Sequence, residues 1–171
     1  MENLNIRKAE IKDAQAMLNL AMDNFRNSEY LLTVPEEFNV TVEQEENWIQ
    51  SFKDNPDSLL LIAEINRKII GVLNFNNYHK KRFSHVGEMG MSVHHKYRGK
   101  GIGAAMLKTL IDWAEKNERI EKIVLKVFTL NLPAISLYKK FGFMQEGLEK
   151  KAAKIGNGEY WDNLIMSLFT K

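Results

Sequence analysis

Residues 84–107 leave few folds open to this chain. They read Ser-His-Val-Gly-Glu-Met-Gly-Met-Ser-Val, then His-His-Lys-Tyr, then Arg-Gly-Lys-Gly-Ile-Gly-Ala-Ala-Met-Leu. The pattern is a strand, a short basic connection, a glycine-rich turn and a helix. Glycines at 99, 101 and 103 let backbone N–H groups come close to a ligand. The helix that follows adds unpaired N–H groups and the positive end of its dipole, an arrangement suited to phosphate. Arg98 and Lys100 bring positive charge to the same place.

Other glycine-rich phosphate loops fit less well. A P-loop requires Lys-Ser or Lys-Thr after its second glycine, and no such pair follows a glycine here. The loosened dinucleotide pattern G-x-G-x-x-G/A is met by Gly99, Gly101 and Ala104. That fold also places an acidic residue at the end of the next strand. The next strand, residues 122–128, ends in Phe128-Thr129 with no carboxylate.

A second block is Asn131-Leu-Pro-Ala-Ile-Ser-Leu-Tyr138-Lys-Lys-Phe-Gly-Phe143. Taken together, the two blocks resemble the GCN5-related N-acetyltransferases. In that family an Arg/Gln-x-x-Gly-x-Gly/Ala loop holds the pyrophosphate of acetyl-coenzyme A, and an Asn…Ala-x-x-Leu-Tyr-x-x-x-Gly-Phe segment follows. Residues 98–103 match the first pattern in full, and the blocks stand in the family order. The resemblance implies a single α/β domain with a mixed central sheet, two strands of which splay to admit the pantetheine arm.

Composition is compatible with this. The 171 residues suit one domain with a full core. A net charge of +2 implies no general pull toward nucleic acid. There is no cysteine, which excludes disulfides, a catalytic thiol and thiolate metal sites, and fits a reducing cytoplasm. The start of the chain has neither a basic segment nor an apolar run of the signal-peptide kind. The longest apolar run, residues 59–63, is too short to span a bilayer.

In chain order, residues 4–9 alternate as a strand. Asp13 is placed to cap a helix with Ala14, Met17, Leu18, Ala21 and Phe25 on its buried stripe. Thr41-Val-Glu-Gln44 is a capping box opening a second helix. Six glutamates and no lysine or arginine lie between 29 and 46, which reads as helix capping and solvated surface. An acidic wall for an amine is the functional alternative. Residues 59–65 and 68–75 form a hairpin through Asn66-Arg67. The cluster His79-Lys-Lys-Arg82 reads as a solvated loop. Helices are expected over 102–117 and from Pro133 to about Phe141. Strands are expected over 122–128, 143–155 and 159–169, the last two joined at Gly156-Asn157-Gly158. The order is βααβββαβαββ.

The resemblance also assigns roles. Arg98, Gly99, Lys100, Gly101, Ile102 and Gly103 bind the pyrophosphate. Backbone amides of Met91, Ser92 and Val93 meet the thioester and pantetheine. Gly87 and Gly90 suggest a bulge or close backbone approach in that strand. Tyr138 is the general acid for the leaving thiolate, and Asn131 holds the pantetheine or starts a helix. Glu88, ten residues before Arg98, is the general base, with Val86, Met89 and Met91 as apolar neighbours that raise its proton affinity. Tyr160 or Asp162 lines the acceptor pocket. His85, His94 and His95 read as surface or loop residues, and no metal site is expected.

The chain is thus read as an acetyl-coenzyme A-dependent N-acetyltransferase acting by direct attack in a ternary complex. The acceptor is a small primary amine, either an amino acid derivative or a polyamine. A protein N-terminus is the alternative acceptor, and a coenzyme A-binding sensor without turnover is the alternative of another class. No nucleic-acid or membrane partner is expected. Homodimers are common in the family, although nothing in the sequence marks an interface.

Overall fold

The computed structural model describes residues 3–156 and 158–171. Its elements are β1 (Leu4–Lys8), α1 (Ala14–Arg26), α2 (Val42–Asp54), β2 (Leu59–Ile65), β3 (Lys68–Asn77) and β4 (Val86–Val93). They continue with α3 (Ile102–Lys116), β5 (Lys122–Phe128), α4 (Leu132–Lys140), β6 (Met144–Gly156) and β7 (Glu159–Phe169). The expected order holds, with boundaries moved by a residue or two. Asn157, at the tip of the expected β6–β7 turn, lies outside the described residues.

The strands form one sheet in the order β1-β2-β3-β4-β5-β7-β6. Every neighbouring pair is antiparallel except β4 and β5. Helices cover both faces. Strand β2 shows why, because it is apolar on both sides. Leu59, Leu61 and Ala63 join Met106, Leu107, Leu110 and Ala114 of α3 in one core. Leu60 and Ile62 join Met17 and Leu20 of α1 and Ile49 and Phe52 of α2 in the other. Asn66 and Arg67 both take positive φ, 50° and 63°, as the tight β2–β3 hairpin requires.

Two expectations about α1 are corrected. Leu20 and Asn24 are buried on its inner face, whereas Ala21 and Phe25 are only half-buried. Asp13 stands at the helix start but does not cap α1 with its side chain. Its carboxylate instead accepts a forked pair of bonds from Arg7, at 2.7 and 2.9 Å, and one from the Glu10 N–H at 2.8 Å. Arg7 also reaches Glu64 on β2 at 3.1 Å. A bidentate guanidinium is a more demanding partner than a helix N–H, and it ties α1 to the sheet edge. The Thr41–Gln44 capping box of α2 forms as expected, with both reciprocal bonds present.

Strand β4 contains no bulge, since its register with β3 runs without a break. The close approach expected there does occur at Gly87. A Cβ on Gly87 would lie 2.2 Å from the Phe75 ring and 2.7 Å from the Asn76 carbonyl oxygen. The Phe75 ring in turn packs edge-on against Trp113 of α3, 5.6 Å between centroids.

Two stability measurements check this account. Gly87→Ala should cost about 1–3 kcal/mol, read as a lower thermal midpoint, because backbone as well as a buried ring must shift. Asp13→Asn should cost about 1–3 kcal/mol at neutral pH. Burial alone would raise the Asp13 carboxyl, but the Arg7 and Glu10 hydrogen bonds outweigh it and hold the group below the usual range. Its stabilisation is therefore present above the unfolded value of about 3.9 and lost as pH falls through the lower folded value. The gap between the Asn variant and the parent protein should close below about pH 4.

Candidate active site

Pairing between β4 and β5 covers only three rungs, Val86, Gly87 and Glu88 against Lys122, Ile123 and Val124. Beyond Glu88, β4 follows β3 as far as Val93, and β5 follows β7 as far as Phe128. From Met89 onward one edge of β4 faces a gap rather than a strand. Backbone amides left unpaired inside a sheet invite an extended polar ligand. Met91, Ser92 and Val93 lie along this gap, but amide direction alternates along the strand. The His94 N–H bond to Ile70 and the Tyr78 N–H bond to Val86 put the even-numbered positions in bond with β3. Met91 and Val93 therefore turn their amides to the gap, and Ser92 turns its own to β3.

The glycine-rich loop lies at the open end of the gap. Gly99 and Gly101 take φ of 72° and 80°. Open space surrounds both, so conformation rather than crowding calls for glycine there. Gly101 immediately precedes α3, and no side chain caps that helix start. The Ile102 end of α3 thus presents N–H groups and dipole to the loop. Arg98 donates from Nε to the Val93 carbonyl at 3.0 Å, which fixes the loop to the end of β4 and leaves the rest of the guanidinium exposed. Lys100 Nζ lies 5.2 Å over the Tyr97 ring. An uncapped helix start, open glycines and two exposed cations fit a pyrophosphate. Gly103 differs from its two neighbours. A Cβ there would meet Leu137 and Met91 side chains at 3.3 Å, so this glycine serves the packing of α3 against α4 and β4.

Tyr138 of α4 is 7% exposed and belongs to the α3-side core, with Phe143 alongside. Burial pushes its hydroxyl up to about 12, so it stays protonated. Asn131 caps α4: its side chain accepts from the Ala134 N–H at 3.3 Å.

Glu88 occupies the last rung before the gap. Its carboxylate accepts a hydrogen bond from the Tyr78 hydroxyl at 3.1 Å. Of the apolar neighbours expected for it, Val86 shares its face of the strand, and Met89 and Met91 are corrected. Side chains alternate along a strand, and Met89 and Met91 point into the α3-side core. Glu88 faces the other way, with Gly90 and Ser92, toward α1 and α2. Asn76 and Val124 are its neighbours across the strands. Lys126 stands further along β5 on that same face and is paired with Glu149 at 2.6 Å.

A cavity of about 380 Å³ opens on this face between α1, α2 and the sheet. Met17, Leu20, Trp48 and Val72 give it apolar walls, and Ser92 and Glu45 supply polar groups. Burial holds the Glu45 carboxyl above the usual carboxylate range. Of the six glutamates in this region, Glu29, Glu36, Glu37 and Glu43 are exposed, as a solvated surface requires. An aromatic cluster joining the α1–α2 connection to β5 and β7 was not legible in the sequence. Tyr30, from the α1–α2 connection, lies 5.9 Å from Trp161 of β7, which packs at 5.2 Å against Phe128 of β5. Neither Tyr160 nor Asp162 is among the residues lining the 380 Å³ cavity. Tyr160 lies under Lys151, and Asp162 accepts from the Lys151 N–H at 2.7 Å. A larger cavity of about 720 Å³, lined by Asp57, His85 and Arg119 among others, lies at the far end of β4 and β5 and is remote from the gap.

The histidine expectation is corrected in part. His85 is exposed, but His94 is buried and stacks on His95 at 4.6 Å. Both rings approach Asp23 of α1, at 3.4 and 3.2 Å. His94 Nδ1 accepts from the Lys96 N–H, so its Nε2 carries the proton and faces Asp23 as a donor. The cluster braces the end of β4 against α1, and Asn24 adds a bond to Ser92 at 3.3 Å.

An open sheet with one parallel gap and an anion-binding helix start beside it defines a fold that other proteins share. The acetyltransferase (GNAT) family model matches residues 14–143. Over 98% of both chains, the sequence is 31% identical to the L-amino acid N-acetyltransferase AaaT of Escherichia coli (strain K12). An acetyltransferase of the GNAT family from Streptococcus pneumoniae superposes with a TM-score of 0.93 at 27% identity, covering 98% of this chain and 99% of that one. The yncA protein of Salmonella typhimurium, solved with its cofactor acetyl-CoA, has the same fold with a TM-score of 0.86 at 20% identity, covering 99% of this chain and 95% of that one. The chain belongs to the GNAT acetyltransferase family. It is an acetyl-CoA-dependent N-acetyltransferase.

The loop assignment has a direct check. Gly101→Asp puts a side chain on a positive-φ residue and a negative charge at the helix start. Acetyl-CoA affinity measured by calorimetry should fall at least about tenfold. Unchanged affinity would remove the loop from the cofactor site.

Proposed function

We propose that the protein acetylates small primary amines carrying an apolar group, amino acid derivatives foremost, by direct attack in a ternary complex. The gap between β4 and β5 carries this reading. It lies between the phosphate loop at one end and Glu88 at the other, and the apolar cavity opens on the face toward which Glu88 points. The full-length likeness to an L-amino acid N-acetyltransferase supports the acceptor class. The likeness to a Bacillus subtilis spermine/spermidine N(1)-acetyltransferase covers 32% of the chain, which is weaker support for a polyamine.

In this reading the residues divide the chemistry as follows. The loop at 98–103 holds the pyrophosphate. Backbone amides of Met91 and Val93 donate to the pantetheine and to the carbonyl oxygen as it gains charge. Glu88 takes the proton that the amine must lose before its nitrogen can attack. Without a cysteine there is no thiol to carry the acetyl group, which favours direct transfer. Tyr138 acts on the sulfur. With its hydroxyl pushed up to about 12, full proton transfer to an ordinary thiolate of about 8.5 is uphill by roughly 3 units. Tyr138 therefore acts first as a hydrogen-bond donor. Proton transfer follows to the extent that the same desolvation raises the thiolate.

Initial rates with an apolar amino acid amide as acceptor test the proposal. Double-reciprocal plots should intersect, and parallel lines would contradict direct attack. Tyr138→Phe should lower kcat about a hundredfold with little change in the KM for acetyl-CoA. A variant with unaltered kcat would remove Tyr138 from the chemistry.

A further inference from the structure

We infer that Tyr78 is the positioning residue for Glu88, holding one carboxylate oxygen so that the other faces the acceptor nitrogen. The inference rests on the reading of Glu88 as the base. Tyr78 directly follows β3, and its N–H donates to the Val86 carbonyl at 3.1 Å, so its backbone is tied to β4 two residues before Glu88. Its ring packs edge-on against Phe83, 6.3 Å between centroids, which restricts the side chain from the loop side. The hydroxyl then reaches Glu88 Oε2 at 3.1 Å. No other side chain among the described residues hydrogen-bonds the Glu88 carboxylate, so this contact sets its rotamer.

The charged groups around the pair are few. On β4 itself there is Glu88. From β5 Lys126 faces both Glu88 and Tyr78, and its own charge is shared with Glu149 of β6. Burial and then the Glu88 charge push the Tyr78 hydroxyl above its ordinary range, which keeps it a donor. With one Glu88 oxygen held by this bond, the oxygen left unbonded is the one available to the amine. At 39% exposure, Tyr78 also stands between Glu88 and solvent, where the proton must finally go.

The test is the pH dependence of kcat/KM for the acceptor in the parent protein, Tyr78→Phe and Glu88→Gln, with acetyl-CoA affinity measured in each. Tyr78→Phe should bind acetyl-CoA normally, lose roughly tenfold in kcat with little change in the acceptor KM, and give a profile that no longer superimposes on the parent. Phe83→Leu, which keeps the hydroxyl but removes the edge-on ring, should fall between the two. A Tyr78→Phe profile superimposable on the parent, with Glu88→Gln abolishing the limb, would overturn the role of Tyr78 and leave the base in place. A Glu88→Gln profile superimposable on the parent would overturn the base and the positioning role together.

Discussion

The structure depends on one departure from a regular sheet. Among the described residues, β4 and β5 are the only parallel neighbours, and they separate after Glu88 and Val124. A sheet of seven strands loses backbone hydrogen bonds by opening there. The compensation lies on either side. β4 keeps its full register with β3 and β5 keeps its full register with β7, so each lip of the gap is part of a complete antiparallel pair. The helices then hold the lips apart. α3 and α4 pack beneath β4 through Met91, Gly103 and Leu137, and α1 braces the other face through Asp23, Asn24, His94 and Ser92.

In the proposed reading the two faces at the gap serve two substrates. Met89 and Met91 point into the α3-side core, next to the glycine-rich loop at 98–103. Glu88, Gly90 and Ser92 point toward the cavity under α1 and α2. On that proposal, alternation along one strand separates the cofactor side from the acceptor side. A one-residue slip in the β3–β4 register would exchange the faces. Gly87, which admits the Phe75 ring, is one of the seven β4 residues paired in that register.

Much of this was legible in the sequence, and the remainder had physical reasons not to be. The glycines at 99 and 101, the capping box at Thr41 and the Asn66-Arg67 hairpin are local devices, and local chemistry announces them. The doubly apolar pattern of β2 likewise announces a strand covered on both faces. What failed involved partners distant in sequence. Asp13 was assigned to its own helix because Arg7 and Glu64 converge on it only in the folded sheet. Glu88 was given Met89 and Met91 as neighbours by adjacency, whereas the pleat sends them to the opposite face. His94 and His95 were left at the surface because Asp23, some seventy residues earlier, cannot be paired with them by spacing. Trp161 packs with Tyr30 and Phe128, which no local pattern connects.

The central claim is that the unpaired edge of β4 and the uncapped start of α3 together receive acetyl-CoA. Amide hydrogen exchange with and without acetyl-CoA tests it most directly. The account predicts slowed exchange at residues 89–93 and 99–104, with the paired rungs at 86–88 little changed. Protection confined to other regions, or none at these amides at saturating acetyl-CoA, would contradict it.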